Sequence, residues 1–496
     1  MKRGMLLLVI AAITSAHVGS PDVFFKGSAG PYEIRVVVRP PEVVPGIARV
    51  TVRASPDVRR VAIRPVFWRA GSKGAPSADE TTRLEGESGT FVGSLWLMAR
   101  GAYSVDVTVD GVRGPGTVIV PVASVATGQL QMSAGLGAIL AVLGLVLVAG
   151  LVTIVYKAAG ESLLDASQRM NGARRWRARR VAAISVPIIA LGLFGGARWW
   201  TAVERDYDRN LYRPSPLAIA LDGDLLRVQA TDTLWQPPGR PSGIVPDHGK
   251  LMHLFVIRAD DASAFAHLHP RATQAGANPT FVTRLPALPS GRYHLFADVV
   301  HETGFERTLV GSLVIDSMNA IAAPADADDA WYVGDASRDS SAVLADGSIM
   351  FARVLPGRPV RAGEELTIAV SARDPTGAPA ILDPYLGMPA HGVVTRVDGQ
   401  VYVHLHPMGT VTAAAQDAFR ARDRGDTTAM GRLRLQEGDH SKHIMTSRLD
   451  TVSTIEFPYA FPRAGDYRLF VQVKRAGRIL TGAFVIAVAD SASVER

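Results

Sequence analysis

Twelve histidines and no cysteine stand in this 496-residue chain, and eleven of the histidines fall after residue 203. Six of them recur as a set. His253 precedes His267 by 14 residues and His391 precedes His404 by 13, with His269 and His406 each two residues further on. Residues i and i+2 of a β-strand share a face, so each His-Leu-His triplet presents two imidazoles together. The longer spacing suits a hairpin that supplies a third from the neighbouring strand, with Pro270 or Pro407 ending the strand so that each trio sits at its tip. Neutral imidazole binds copper and zinc alike. Methionine tilts the choice, because thioether ligands favour Cu(I), and Met388 and Met408 stand in loop-like contexts beside the second trio. Met252 adjoins His253 and would point to the opposite face of the strand. The candidate ligands are therefore His253, His267 and His269 in one set, and His391, His404, His406, Met388 and Met408 in the other. Copper is the expected ion and zinc the alternative. His248, His294 and His301 have no counterparts in the second set and rank behind these. The opposing expectation is that each histidine is a core residue with its own hydrogen-bond partner.

The elements that must position these residues are also repeated. Gly291-Arg292-Tyr293-His294-Leu295-Phe296 leads to Thr308-Leu309-Val310-Gly311, and Gly465-Asp466-Tyr467-Arg468-Leu469-Phe470 leads to Leu480-Thr481-Gly482. Two copies of one β domain are the economical explanation, with boundaries at 210–316 and 347–490 and the Ala/Asp-rich stretch 317–346 as linker. The second copy carries an insertion, 410–453, in which Ala413 to Arg424 reads as a helix; a mobile excursion bearing Met430, His440, His443 and Met445 is expected there. Residues 20–126 show short alternating strands such as Tyr32-Glu33-Ile34-Arg35-Val36, broken by Pro, Gly and Ser, which predict a sandwich of Ig-like type. That domain has no clustered carboxylates and is expected to serve as a scaffold. The fold class expected is mainly β: three extracytoplasmic Ig-like or cupredoxin-like β-sandwich domains and a two-helix transmembrane hairpin.

Residues 1–16 read as a signal peptide, with Lys2 and Arg3 before an apolar stretch and Thr14-Ser15-Ala16 as the cleavage site. Ala134 to Tyr156 carries no charge over 23 residues, enough to cross a hydrocarbon core of about 30 Å. A second apolar run, 181–203, contains Arg198 beside Trp199 and Trp200, a pattern of snorkelling and interfacial anchoring. Between them, 157–180 holds seven basic residues against Glu161 and Asp165. This loop is expected on the cytoplasmic side, leaving both large regions periplasmic. Apart from it and the leader, 44 basic residues face 44 acidic ones, so no cationic face exists for nucleic acid.

The His-bearing hairpins and the Gly-x-Tyr-x-Leu-Phe strands resemble the small periplasmic β-sandwich domains of the YtkA-like and cupredoxin-like kind, and more loosely CopC-like copper-resistance proteins. The resemblance implies an exported copper-binding or metal-homeostasis role, with an envelope protein as partner in metal handling. Lack of cysteine excludes a blue copper site, disulfides and cysteine nucleophiles. No G-x-S-x-G elbow, P-loop or H-E-x-x-H helix is present, so an enzyme is not expected. The competing function is an envelope interaction scaffold in which Ig-like domains display a surface and the histidines are structural.

Overall fold

The computed structural model describes residues 17–18, 22–162, 164–165, 167–231, 243–273, 279–316, 324–357, 359–426, 433 and 454–491. The leader 1–16 and the insertion residues Met430, His440, His443 and Met445 lie outside them. The chain is mainly β, and it divides into one unit of residues 1–125 with 213–496 and a second of residues 126–212.

The second unit is a helical hairpin. α1, Ala134–Glu161, starts at Ser133, whose hydroxyl accepts the Leu136 N–H; α2, Gly172–Arg209, starts at Asn171, whose side chain accepts the Arg174 N–H. These caps satisfy backbone donors that a helix start leaves orphaned. Both helices are long and apolar enough to cross a membrane. The basic stretch expected as a loop is largely helical: Arg174 and Arg177 sit on the first turns of α2 and donate to Ser162 and Ala159 carbonyls at the end of α1, where a cation meets the negative pole of the helix. Among the glycines of α1, close packing occurs at Gly160, against Met170 and Ala178, while Gly135, Gly144 and Gly150 face open space.

In the first unit, residues 22–125 form two sheets, of five and four strands, and the alternation read from Tyr32 to Val36 is the alternation of burial: Tyr32, Ile34 and Val36 face the core. The first repeat wraps one continuous set of strands, in which Ser215–Asp222 passes from one layer to the other by pairing with both Leu225–Ala230 and Glu306–Ile315. The second repeat has two sheets. One runs His17–Val18, Val401–Leu405, His391–Arg396, Gly465–Arg475, Arg478–Val488; the other contains Ser341–Val343, Ile349–Leu355, Leu366–Arg373 and Ile455–Tyr459. The stretch 317–346 is more than a linker: Ala330–Val333 extends the first repeat's sheet beside Ala264–Leu268, and Ser341–Val343 extends the second's.

The repeats pack sheet against sheet. His253, Phe255 and Ile257 alternate with Leu254 and Val256; the latter enter the first repeat's own core with Met252, whereas Phe255 and Ile257 join Val393, Tyr402 and Phe470 of the second repeat in a separate core at the seam. Phe265 stacks on Phe470 with centroids 4.3 Å apart, and Phe296 on Tyr402 at 4.2 Å. Phe265 corresponds to Tyr402 and Phe296 to Phe470, so the two stacks are one contact made twice about a pseudo-two-fold axis. Each fully buried aromatic contributes about 1.5–3 kcal/mol of burial to the seam.

Candidate metal centre

The strand registers place the histidines. His253 lies opposite Asp298 and Phe255 opposite His267; in the second repeat His391 lies opposite Gln472 and Val393 opposite His404. The two faces meet at the seam, so the sites expected one per repeat merge into a single cluster of seven imidazoles. Nitrogens of His253, His267 and His269 lie within 4.8 Å of one another, as do nitrogens of His248, His391 and His406. His404 stands between the trios, its ring 4.4 Å from His406, 5.5 Å from His391 and 5.4 Å from His253.

The second trio differs from the one expected. His248 takes the place of His404 and comes from the other repeat. The turns Asp247–Lys250 and Tyr385–Met388 are equivalent, each closed by a reciprocal pair of backbone hydrogen bonds and each with its second residue at φ 51°. That residue is His248 in one copy and Leu386 in the other. The His248 ring reaches across the seam to within 5.6 Å of His391 and 5.3 Å of His406. Met408 packs against the core of the N-terminal sandwich, and Met388 closes its turn through its backbone. Met252 is buried in the first repeat's core, on the face away from His253. His294 and His301 belong to neither trio.

Carboxylates stand close behind the imidazoles. Asp329, from the stretch read as linker, accepts the backbone N–H of His269 at 2.8 Å and faces its Nδ1 at 3.0 Å. Asp298 lies 3.6 Å from Nδ1 of His404, and Asp247 lies 3.5 Å from Nε2 of His248. Asp326 also approaches His269, but Lys250 pairs with it at 2.5 Å and neutralises it. Asp383 is occupied in turn chemistry, accepting the Gly477 N–H.

In the first trio Nε2 of His253 faces the Asp247 carbonyl at 3.3 Å, and Nδ1 of His267 faces the Gln472 side-chain amide at 2.8 Å and the Tyr385 hydroxyl at 3.2 Å. The Asp247 carbonyl only accepts, so Nε2 of His253 carries the proton and its Nδ1 is a lone pair directed at Nε2 of His267. Those two atoms are 3.0 Å apart. Burial, with neighbouring imidazoles adding, holds His253, His267, His391 and His406 well below the ordinary histidine pKa, so the rings are neutral. Two nitrogens each about 2.0–2.1 Å from one ion stand about 3 Å apart. Asp329 fixes His269 in the same way and leaves its Nε2 free, and the Val411 carbonyl, 3.3 Å from Nδ1 of His406, does so there. Such outer partners orient a metal-binding imidazole and set its tautomer.

Six buried ring nitrogens, on His248, His269, His391, His404 and His406, have no hydrogen-bond partner among the described residues. Each such group costs about 1–3 kcal/mol unless a water or an ion satisfies it.

The N-terminal sandwich and α3, Ala413–Arg424, hold the second trio's strand end. Around the His406–Gly409 turn, Lys26 N–H donates to the Met408 carbonyl, Thr410 N–H to Phe24 and Phe24 N–H to the Thr410 hydroxyl. Glu456 receives Lys26 and Arg35, and Glu365 receives Arg39 and Arg53. α3 is buried against the N-terminal sandwich through Phe419 and Trp68, and its first turn donates to Glu306 and Asp247 of the first repeat. Burial, reinforced by Asp247 and Asp298, raises Glu306 to about 7 against the opposing Thr412 bonds.

A family model described as "Domain of unknown function (DUF8832)" matches residues 227–311 and 353–490, segments that contain all seven clustered histidines. No curated protein matches the chain. Among solved structures, the chain is similar to dimeric latent PorU from Porphyromonas gingivalis at 9% identity, covering 90% of this chain and 32% of that one, with a TM-score of 0.15. It thus spans about a third of that protein's length. A tetra-tandem repeat from the extending region of a large adhesion protein is 11% identical, with 90% and 96% covered and a TM-score of 0.15. Fibronectin(III)-like modules of Clostridium thermocellum CbhA are 10% identical, with 56% and 97% covered and a TM-score of 0.14.

Proposed function

We propose that the protein is a membrane-anchored, extracytoplasmic metal-binding protein that holds copper among the imidazoles at the seam between its two repeats, for storage or hand-over to an envelope partner. The observation that carries this reading is the convergence of buried imidazole nitrogens, those of His253, His267 and His269 within 4.8 Å of one another and Nδ1 of His253 3.0 Å from Nε2 of His267. With only imidazole nitrogen in either trio, the donor set suits copper, zinc, iron and nickel, and copper leads by intrinsic affinity; zinc is the competitor. Asp247, Asp298 and Asp329 offset the ion's charge from just outside the nitrogens. The full chain in detergent, equilibrated with copper or zinc and freed of loose ion, is expected to retain metal, and His253→Ala/His267→Ala to lose the ion held between those rings. Unchanged uptake in that variant overturns the reading.

A second reading, an envelope interaction scaffold, draws on the N-terminal sandwich. Ile47 and Trp96 pair across adjacent strands at 47% and 58% exposure, with Met98 at 65% beside them, and an apolar patch of this kind suits protein association. Metal uptake at background level in the wild-type chain favours it.

A further inference from the structure

The cluster holds more nitrogen than one ion takes. Copper and zinc bind about four ligands, whereas seven imidazoles meet here, in two trios that share no residue. We infer that the seam binds two ions at once, one in each trio, and that the second site is completed across the seam by His248. This rests on the metal-binding reading and deepens it.

Three observations support a second ion. His391 and His406 come from the second repeat and His248 from the first, yet their nitrogens converge within the same 4.8 Å as the first trio's. His391 and His406 have buried ring nitrogens without a hydrogen-bond partner among the described residues, two of them on His391, and Nε2 of His248 lies 3.5 Å from the Asp247 carboxylate. The His406 ring is oriented by the Val411 carbonyl so that Nε2 is the free atom. Charge is distributed to match: Asp329 stands behind the first trio, Asp247 beside His248 of the second, and Asp298 behind His404 between them. His404, with Nε2 free and its ring within 5.5 Å of His253 and of His391, stands between the trios as one further nitrogen for either ion.

The second repeat supplies its own control. Leu386 occupies the equivalent turn position at the same φ, so His248→Leu removes the imidazole and keeps a side chain that this backbone accepts. The full chain in detergent is loaded with cupric ion, with zinc as the diamagnetic comparison, and metal per chain is measured after removal of loose ion. The wild type is expected to hold two ions and to show an electron paramagnetic resonance spectrum broadened by a neighbouring copper. His248→Leu is expected to hold one, with an unbroadened spectrum. A wild type that saturates at one ion, or a His248→Leu variant that keeps two, overturns the inference while leaving metal binding intact. Failure of the wild type to bind any ion rejects the metal-binding reading itself, and the two-ion inference with it.

Discussion

At the scale of single residues, Asp329 decides how His269 is presented. Its carboxylate holds both the His269 ring and its backbone N–H, so Asp329→Asn keeps an acceptor but removes a charge that raises ligand basicity. Loss of such an outer partner costs about 10–100-fold in metal affinity; that fall is expected in a competition titration, with little change in the metal-free melting temperature. An unchanged affinity excludes His269 as a ligand through Nε2. The same residues set a pH dependence. His253, His267, His391 and His406 have pKa values depressed by burial, so the unfolded chain takes up more protons as pH falls. Their contribution to stability is complete above about 6.5, the unfolded value, and erodes below it toward the folded values. The melting temperature of the metal-free protein is expected to drop between pH 7.5 and 5, and a flat profile contradicts neutral burial. The six repeated histidines were legible because strand phase and repetition both mark them. His248 was not, since its counterpart is Leu386 and an isolated histidine in a turn carries no periodic signal. Proximity in sequence said nothing of which core would claim Met408, which packs on the N-terminal sandwich.

At the scale of elements, the strands that carry the site are buried on both faces. His253–Ile257 and Ala264–Leu268 have no exposed position, where a lone sandwich would leave alternate residues in water. That double apolarity was visible in His-Leu-Phe-Val-Ile and Ala-Phe-Ala-His-Leu, and it is the signal that the outer face of each sheet is covered. What covers it was not visible, since two copies of one pattern predict two similar faces but not their docking. Gly409 shows how tightly the next element is fitted. It has φ 112°, and a Cβ there would lie 2.0 Å from the Phe24 carbonyl oxygen, in the strand of the N-terminal sandwich that grips the His406 turn. Gly409→Ala is expected to lower stability by about 2–4 kcal/mol, combining backbone strain with the clash. It should also weaken copper binding at the trio containing His406. Gly477, at φ 74° in open space, supplies the comparison: Gly477→Ala is expected to cost only about 1 kcal/mol. Equal melting temperatures for the two variants would mean that the N-terminal strand does not clamp the turn.

At the scale of the molecule, the order of segments constrains topology. The chain builds a sandwich, leaves for two apolar helices, and returns to build the repeats, yet residues 22–125 and 213–491 pack as one unit. Phe24 enters the second repeat's core, and Met408 and Val411 pack on the N-terminal one. Segments that share cores stand on one side of a bilayer, so the proposed membrane anchoring requires the helices to cross an even number of times, as a hairpin of two does. Under that proposal the Arg-rich connection between α1 and α2 takes the opposite side, which the positive-inside rule assigns to the cytoplasm. Because the chain has no cysteine, single cysteines report this cleanly. Lys73, Arg175 and Arg478 are exposed and lie in the N-terminal sandwich, at the start of α2 and in the last hairpin. In cells whose outer barrier is removed, Lys73→Cys and Arg478→Cys are expected to react together with a membrane-impermeant maleimide, and Arg175→Cys only after permeabilisation. Labelling that separates Lys73→Cys from Arg478→Cys would break the shared-core unit. Labelling of Arg175→Cys alone in sealed cells would keep that unit but put the histidine seam in the cytoplasm, where an envelope partner could not exchange metal with it.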